Sequence, residues 1–379
     1  KKEVKEVKEI FFYNKSKKFN PKKSKLLTLY FFIFLLLICL DFLSINLPLH
    51  KLDFFHEGQW LTPSMNYLKK GGYWTSSYVT VGFFYEIFNS LIGFKIFNIL
   101  SIGSSRFSIL LSILIFKIIV IIFIYNLTVI QKMNENVKVI FFVLTGLIVL
   151  SMTNFYNEGI LDYRELPIFV FLIILIPIIS NNKMAFYYCF FIGTLSVFSM
   201  MWGIDRGAYL NLTLIFLILF LLIKKDFNKS GWIILGLISG WLLFFTIIGL
   251  EEFKSFVFNT QEVYLSLEWV HGIIHPEPFS SEQHSTRATK TLIVLILAGL
   301  LTIKLNFFKY RNLSNEYKIL LVFIFLISVI SYKTALGRSD GPHIASAMGL
   351  PIFLISIILI NLFFNFILEN TKYKKKIQK

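Results

Sequence analysis

The chain has 379 residues, of which 56% are hydrophobic, 16% are charged and 43 are Phe, and its formal net charge is +16. Soluble domains are nearer half apolar and about a quarter charged, so this composition excludes an ordinary soluble domain and indicates a polytopic membrane protein. The excess of Lys lies in the two tails and in short segments between apolar runs. That distribution is typical of cytoplasmic anchoring and excludes nucleic acid as the partner.

Ten apolar runs predict an all-α fold with about ten transmembrane helices, because each run with its flanks approaches the roughly 20 residues that cross the hydrocarbon core. The predicted spans lie near residues 26–45, 107–130, 137–152, 167–180, 184–200, 208–223, 231–250, 290–303, 318–332 and 344–368. We divide the chain into a basic cytoplasmic tail (1–25), a transmembrane domain (26–368) and a second basic tail (369–379). The domain includes a first outer loop with interfacial helices (46–105) and a second large outer loop (251–289).

The segment 81–98, VGFFYEIFNSLIGFKIFN, is predicted to lie in the membrane interface and not to cross it. Glu86, Asn89, Ser90 and Gly93 fall along one side of a helix, which is typical of an interfacial element. Counting the segment as a span would invert every later loop, whereas the ten-span arrangement places 25 of the 38 Lys and Arg residues on the inner side. The positive-inside rule therefore favours a multi-pass plasma-membrane protein with both termini in the cytoplasm.

The first outer loop contains the stretch DFFHEGQWLTPSMNYLKKGGYW, residues 53–74, where acidic residues meet the start of a predicted short helix. Glu57 would be held there at a defined depth, and a partly desolvated carboxylate can serve as a general base toward a hydroxyl. Asp53 is a rival for the same role, and His56 is a candidate for substrate binding. The alternative is that Glu57 only complements the dipole at the start of the helix.

A second group of ionisable residues, in YNEGILDYREL (156–166), precedes a predicted span that begins near Pro167. Asp162 and Glu165 are three residues apart and share a face if the segment is helical. Arg164 either forms an ordinary ion pair with one of them or helps to bind a substrate. We include all three among the candidate substrate-binding residues.

The third group lies in SYKTALGRSDGPHIA, residues 331–345, at the start of the last predicted span. Lys333, Arg338 and His343 bracket Asp340 and a Gly-Pro turn, where backbone amides can also help to bind an anion. The three basic residues are therefore candidates for gripping a donor phosphate, and Asp340 is a candidate for substrate binding. An ordinary polar loop with a helix cap is the alternative.

No cofactor is predicted. The chain contains neither GxxxxGK[ST] nor GxGxxG, and its two cysteines, Cys39 and Cys189, both lie in apolar runs. The loop 251–289 carries three His residues near Glu residues, but their spacing is nonspecific, so a divalent metal is conceivable and not indicated. Any group transfer would need an activated donor other than a nucleotide.

Two further features receive a structural interpretation. The adjacent Asp205 and Arg206 lie at the mouth of a predicted span, where such a pair is more often structural than catalytic. Lys117 falls near the middle of the second predicted span, where an unpaired charge is costly, so it should face the protein interior and a partner.

The architecture resembles the GT-C superfamily of polytopic glycosyltransferases, which includes the protein mannosyltransferases and the aminoarabinose transferase of lipid A. In that family the first outer loop opens with an acidic pair and continues as helices along the membrane. HEGQWLTPSMNYLKKGGYW is similar to that pattern, and TVGFFYEIFNSLIGFKIFN resembles the helix that follows it, which ends near Arg106. The similarity covers roughly residues 26–165 in order. This chain departs from it with His56 in place of the first carboxylate and Trp60 where a Tyr is often found.

The resemblance implies an inverting transfer of a sugar from a polyprenyl phosphate donor to an acceptor on the outer face. The acceptor would be an envelope glycan, lipid or protein, and the family's catalytic carboxylate would fall on Glu57. A transporter or flippase is the main alternative, although we find no internal repeat of the kind such folds often contain. A polysaccharide polymerase or ligase and a noncatalytic assembly subunit also remain open.

Overall fold

The computed structural model describes residues 24–45, 54–155, 159–180, 184–270, 277–307, 313–337 and 341–377, and all regular secondary structure in these ranges is helical. The helices are α1 (Lys25–Leu43), α2 (Phe54–Lys70), α3 (Asn89–Phe97), α4 (Ile102–Val129), α5 (Glu135–Met152), α6 (Leu166–Ile179), α7 (Ala185–Trp202), α8 (Ile204–Ile223), α9 (Phe227–Val270), α10 (Gln283–Phe307), α11 (Asn315–Ser331), α12 (Lys333–Gly337) and α13 (Gly341–Ile377). A π-helical turn, Phe84–Phe88, precedes α3, and a 3-10 turn, Tyr163–Glu165, precedes α6.

Each of the ten predicted spans coincides with one of these helices. Nine helices in the described part of the chain are long and apolar enough to cross a membrane, namely α1, α4, α5, α7, α8, α9, α10, α11 and α13. The exception is α6, whose 14 residues extend only about 21 Å. The prediction of an all-α fold is therefore confirmed for the described residues, which contain nine candidate membrane spans where the sequence predicts ten.

Several helices begin at a Ser or Asn that directly precedes an apolar run. The side chain of Ser24 accepts a hydrogen bond from the Leu27 backbone amide at 3.1 Å, and Asn134 and Ser314 cap α5 and α11 in the same way. These caps satisfy amides that have no partner inside the helix. The helix starts are thus encoded locally, next to the residues that the helices bury.

One end of the bundle, which we call the basic end, collects Lys side chains. Lys138 donates to the Val129 carbonyl at 2.9 Å, Lys229 to Ile178 at 3.1 Å and Lys318 to Asn306 at 3.2 Å. Each of these carbonyls lies near the end of a helix, where a cation complements the helix dipole. The starts of α1 and α5 meet at the same end, because the Ser24 hydroxyl donates to Glu135.

The interior of the bundle is aromatic and tightly packed. Phe169 of α6 contacts Phe123 of α4 and Phe353 of α13, with ring centroids 5.5 and 6.0 Å apart. Small residues bring α7 and α9 together, since a Cβ at Gly193 would lie 2.2 Å from the Ile233 carbonyl oxygen. Close backbone approach of this kind is how helices associate in lipid, where burial of apolar surface contributes little.

The segment between α2 and α4 forms no candidate span and packs with its polar side inward. Ser90 hydrogen-bonds Ser105 at 2.8 Å, and Ser112 donates to Asn89 at 2.8 Å. Phe97 lies on the exposed side of α3. An element that buries its polar face and exposes its apolar face suits the interface for which the sequence predicts it.

The long helix α9 is broken at Gly249, where φ is 80° and ψ is 171°. The part beyond this break holds the segment that follows α2. Glu252 accepts from the Trp74 amide at 2.8 Å, and Asn259 both accepts from and donates to the backbone of Val79, at 2.8 and 2.7 Å. The two predicted outer loops are therefore joined to each other.

Lys117 has the interior position and the partner that the sequence predicts for it. Its side chain is 4% exposed, and its ammonium lies 3.2 Å from Asp41 and 3.6 Å from the ring centre of Phe155. Asp41 is in the last turn of α1, so the pair lies near a helix end.

Candidate active site

The end of the bundle opposite the basic end contains a charge cluster, formed by the buried Glu165 and Arg206 with the partly exposed Asp205 and Ser346. Arg206 lies 3.1 Å from Glu165, both side chains are 3% exposed, and Arg206 also donates to Asp205 and to the Ser346 hydroxyl. Ser346 in turn donates to Glu165 at 3.4 Å. The cluster therefore joins the 3-10 turn, the start of α8 and the first turns of α13.

Local sequence explains how the 3-10 turn and α8 present these groups. The Asp162 amide donates to the Glu165 carboxylate at 3.0 Å in a capping box, and Pro167 follows in the first turn of α6, where its missing amide costs nothing. At α8, the side chain of Asp205 accepts from the Arg206 amide at 2.7 Å. An acidic residue at a helix start satisfies a free amide and complements the dipole.

The Glu165 carboxyl is poised between protonation states. Burial raises its pKa to about 7, and the Asp162 charge acts in the same direction, while the Arg206 guanidinium and the Asp162 amide oppose the shift. A carboxyl with a pKa near neutrality can both give and take a proton under physiological conditions.

Arg164 lies beside the cluster and, unlike Arg206, has hydrogen-bonding capacity to spare. Its guanidinium stacks over the Tyr85 ring at 4.7 Å, and the Tyr85 and Tyr163 rings are themselves stacked at 5.1 Å. Its Nε is buried and has no hydrogen-bond partner among the described residues. A buried guanidinium with an unused donor can receive an oxyanion or a hydroxyl of a ligand.

Two further elements close around the cluster. The hydroxyl of Tyr264, beyond the break in α9, donates to the Ile204 carbonyl at 2.7 Å. Tyr209 of α8 hydrogen-bonds Thr334 of α12 at 2.9 Å, and the neighbouring Lys333 ammonium lies 5.6 Å from the Tyr264 ring centre. The exposed Lys333 therefore lies close to Tyr264, one of the residues around the cluster.

Glu86, in the π-helical turn, is a second buried carboxylate at this end. It accepts from the Thr80 amide at 3.0 Å, from the Val81 amide at 3.0 Å and from the Thr80 hydroxyl. Burial raises its pKa to about 7, although these hydrogen bonds and the charge of Arg164 favour the ionised form.

Glu57 lies in the first turn of α2, and its carboxylate pairs with Arg106. Arg106 Nε of α4 lies 2.5 Å from Glu57 Oε1, and the Glu57 side chain is 9% exposed. The structure therefore holds the predicted base at a fixed position, against a cation that lies 49 residues away in the sequence.

The other predicted residues divide into those the structure brings together and those outside the described residues. Asp162, Arg164 and Glu165 lie in or beside the charge cluster, and His343 is one turn before Ser346 on α13. Asp53, Arg338 and Asp340 lie outside the described residues, as does the side chain of His56.

Sequence reasoning assigned Asp205 and Arg206 to each other as a structural pair and did not anticipate that Arg206 also binds Glu165 and Ser346. Arg residues are rare in this chain, and Arg106, Arg164 and Arg206 all lie at the same end. Arg is suited to buried, multidentate pairing. The rarity of Arg in the chain and its occurrence at this end are therefore the sequence signal for the cluster. The described residues contain no group of three or more His, Cys, Asp and Glu side chains able to hold a metal ion.

Comparison of the chain with protein-family models, with curated proteins and with solved structures found no match.

Proposed function

We propose that this protein is a membrane glycosyltransferase that transfers a sugar from a polyprenyl-phosphate-linked donor to an acceptor on the extracytoplasmic face. The observation that carries the proposal is Arg164, a buried cation with an unused donor, beside the cluster in which Arg206 pairs with Glu165. Such a cation offers a binding group for the phosphate of a lipid-linked donor. The acceptor is an envelope glycan, lipid or protein, and no cofactor is invoked.

The proposed reaction is an inverting displacement at the C1 carbon of the donor sugar. The acceptor oxygen forms a bond to C1 while the bond from C1 to the phosphate oxygen breaks, and the electron pair leaves with the phosphate. The acceptor proton passes to a carboxylate, for which Glu57 and Asp53 are the candidates. Arg164 and Lys333, with Arg338 and His343, stabilise the charge on the leaving phosphate.

The pairing of Glu57 with Arg106 adds a requirement to this mechanism. The Glu57 carboxylate accepts from Arg106 Nε, so this contact has to be exchanged for one with the acceptor hydroxyl before proton transfer. Asp53, four residues earlier in the sequence, keeps its place as the rival base.

A one-sided site fits an enzyme better than a transporter. Below Arg206, the buried side of α8 is mainly apolar, with Leu210, Leu214, Leu217 and Leu221 each at most 3% exposed, and the buried Thr213 hydroxyl donates to the Tyr209 carbonyl of the same helix. Transport pathways require polar or openable sites near the midplane. The apolar interior of α8 therefore supports chemistry at one end of the bundle.

The test combines donor binding and transfer with the purified protein in lipid nanodiscs. Arg164→Gln should weaken binding of a polyprenyl phosphate by about 10- to 100-fold, because one charge-assisted interaction is lost. Lys254→Gln is the matched control, since Lys254 is 63% exposed and, among the described residues, pairs with nearby Glu251. Glu57→Gln should fold and abolish transfer. Full turnover by Glu57→Gln would remove Glu57 as the base, and undiminished lipid binding by Arg164→Gln would contradict the proposed phosphate site.

A further inference from the structure

Glu86 is the least exposed acidic residue near the site, and it does not belong to the charge cluster. Its side chain lies in a π-helical turn, an irregularity often found at functional sites. Its carboxylate receives only donors, which are the Thr80 amide, the Val81 amide and the Thr80 hydroxyl. The Glu86 side chain thus makes three of the hydrogen bonds that hold the segment Thr80–Val81.

That segment is bound on its other side to the start of α8. The Ile204 amide donates to the Val81 carbonyl at 2.6 Å. Gly82 packs so closely on α7 that a Cβ there would lie 2.5 Å from the Trp202 carbonyl oxygen. Asp205 and Arg206 follow Ile204 directly, so the position of Val81 is transmitted to the charge cluster.

The same segment is also bound to α2. Gln59, two residues after Glu57, donates its side-chain amide to the Thr80 hydroxyl. A single dipeptide therefore contacts both the helix that carries Glu57 and the helix that carries Arg206. Its own placement depends on Glu86.

We propose that Glu86 is a positioning residue, which holds Thr80–Val81 and thereby sets the placement of Glu57 relative to the Asp205–Arg206 pair. The expected effect on catalysis rests on the proposed function, whereas the contacts that join Glu86 to α2 and α8 through Thr80–Val81 do not. Misplacement of reacting groups by about 1 Å can cost about 100-fold in rate, so loss of this hold lowers kcat and leaves the affinity for the donor largely intact.

The charge state of Glu86 decides how strongly it holds the segment. Among the charged side chains of the described residues, Arg164 acts on Glu86; α2 contributes the neutral Gln59 through Thr80, and α7 contributes Trp202 next to Gly82. The ionised carboxylate can accept hydrogen bonds from both amides and from the Thr80 hydroxyl. The protonated form carries a hydrogen on one oxygen, and that oxygen then accepts hydrogen bonds less well. The hold therefore tightens as Glu86 loses its proton.

The experiment compares Glu86→Gln with Glu252→Gln, by hydrogen exchange and by steady-state kinetics. Glu252 is a matched control, because it accepts from the amides of Trp74 and Thr75 in the same loop and does not contact Thr80–Val81. Glu86→Gln should accelerate exchange of the Thr80, Val81 and Ile204 amides by about 10- to 100-fold, as expected for losing hydrogen bonds to a charged group. Glu252→Gln should accelerate exchange only at Trp74 and Thr75.

In the transfer assay, Glu86→Gln should lose about 100-fold in kcat with little change in the donor KM, and Glu252→Gln should retain the wild-type kcat. Unchanged exchange at Ile204 in Glu86→Gln, or an equal loss of kcat in both variants, would overturn the proposal. If the wild-type protein transfers no sugar, the proposed function fails, while exchange at Ile204 still decides whether Glu86 holds the start of α8.

Discussion

Two buried arginines illustrate how the same side chain serves different purposes at this end of the bundle. Arg206 is hydrogen-bonded to Glu165, Asp205 and Ser346, whereas Arg164 retains an unused Nε and stacks over the Tyr85 ring. A buried cation that is paired in this way maintains the fold, because removing it leaves the buried Glu165 carboxylate without its partner. A buried cation with an unused donor is available to a ligand.

We expect Arg206→Gln to destabilise the protein by about 3–5 kcal/mol, as is typical when one partner of a buried ion pair is removed. Arg164→Gln should cost less, because among the described residues Arg164 stacks on Tyr85 and has no carboxylate within ion-pair distance. Thermal unfolding of both variants in the same detergent measures the difference. If both variants were destabilised equally, Arg164 would stabilise the fold as much as Arg206 does and would not be free for a ligand.

Glu165 gives the stability of the protein a defined pH dependence. Its pKa is about 7 in the folded protein, against an ordinary value of 4.5, so the folded state binds this proton more tightly than the unfolded state. The resulting stabilisation is complete below about pH 4.5 and is lost as the pH rises through about 7. Glu165→Gln should flatten this part of the profile of melting temperature against pH, and an unaltered slope would contradict the assignment.

At the residue scale, the sequence could group Asp162, Arg164 and Glu165 because they are neighbours, but it could not supply their partners. Arg206 lies 41 residues from Glu165, and Ser346 lies 181 residues from it. Nothing local in the sequence indicates such distant pairings. The role of Glu57 as a base stays a prediction.

At the element scale, the helices could be predicted because the backbone hydrogen bonds of a helix form within one apolar run, and a capping residue often precedes the run. The way the helices cross could not be predicted, since it depends on which glycines face the backbone of another helix. Gly236 of α9 faces the Phe190 carbonyl of α7, and a Cβ there would lie 2.0 Å from its oxygen. Gly231, on the same helix, has no atom within 4 Å of an added Cβ.

These two glycines predict opposite results for the same substitution. Gly236→Ala should destabilise the protein by about 1–3 kcal/mol, the usual cost of overpacking. Gly231→Ala should be neutral or stabilising by up to about 1 kcal/mol, because Ala is the better helix former. Melting temperatures in one detergent provide the comparison. A neutral Gly236→Ala variant would show that α7 and α9 separate readily.

At the scale of the whole molecule, the two ends of the bundle differ in chemistry. The basic end uses Lys to cap helix ends, and the opposite end uses Arg with buried carboxylates. Composition and charge predicted this asymmetry, because the positive-inside rule acts on the whole chain. The buried contacts within the opposite end required the fold.

The orientation of the bundle is the last prediction, and the proposed function depends on it. In a variant with Cys39→Ala and Cys189→Ala, we introduce either Lys254→Cys, at the cluster end, or Lys132→Cys, at the basic end; both lysines are exposed. A membrane-impermeant maleimide should label Lys254→Cys in intact cells and Lys132→Cys only after permeabilisation, because Lys near span ends is retained in the cytoplasm. The reverse pattern would place the charge cluster in the cytoplasm and remove the reason for proposing an extracytoplasmic, lipid-linked donor.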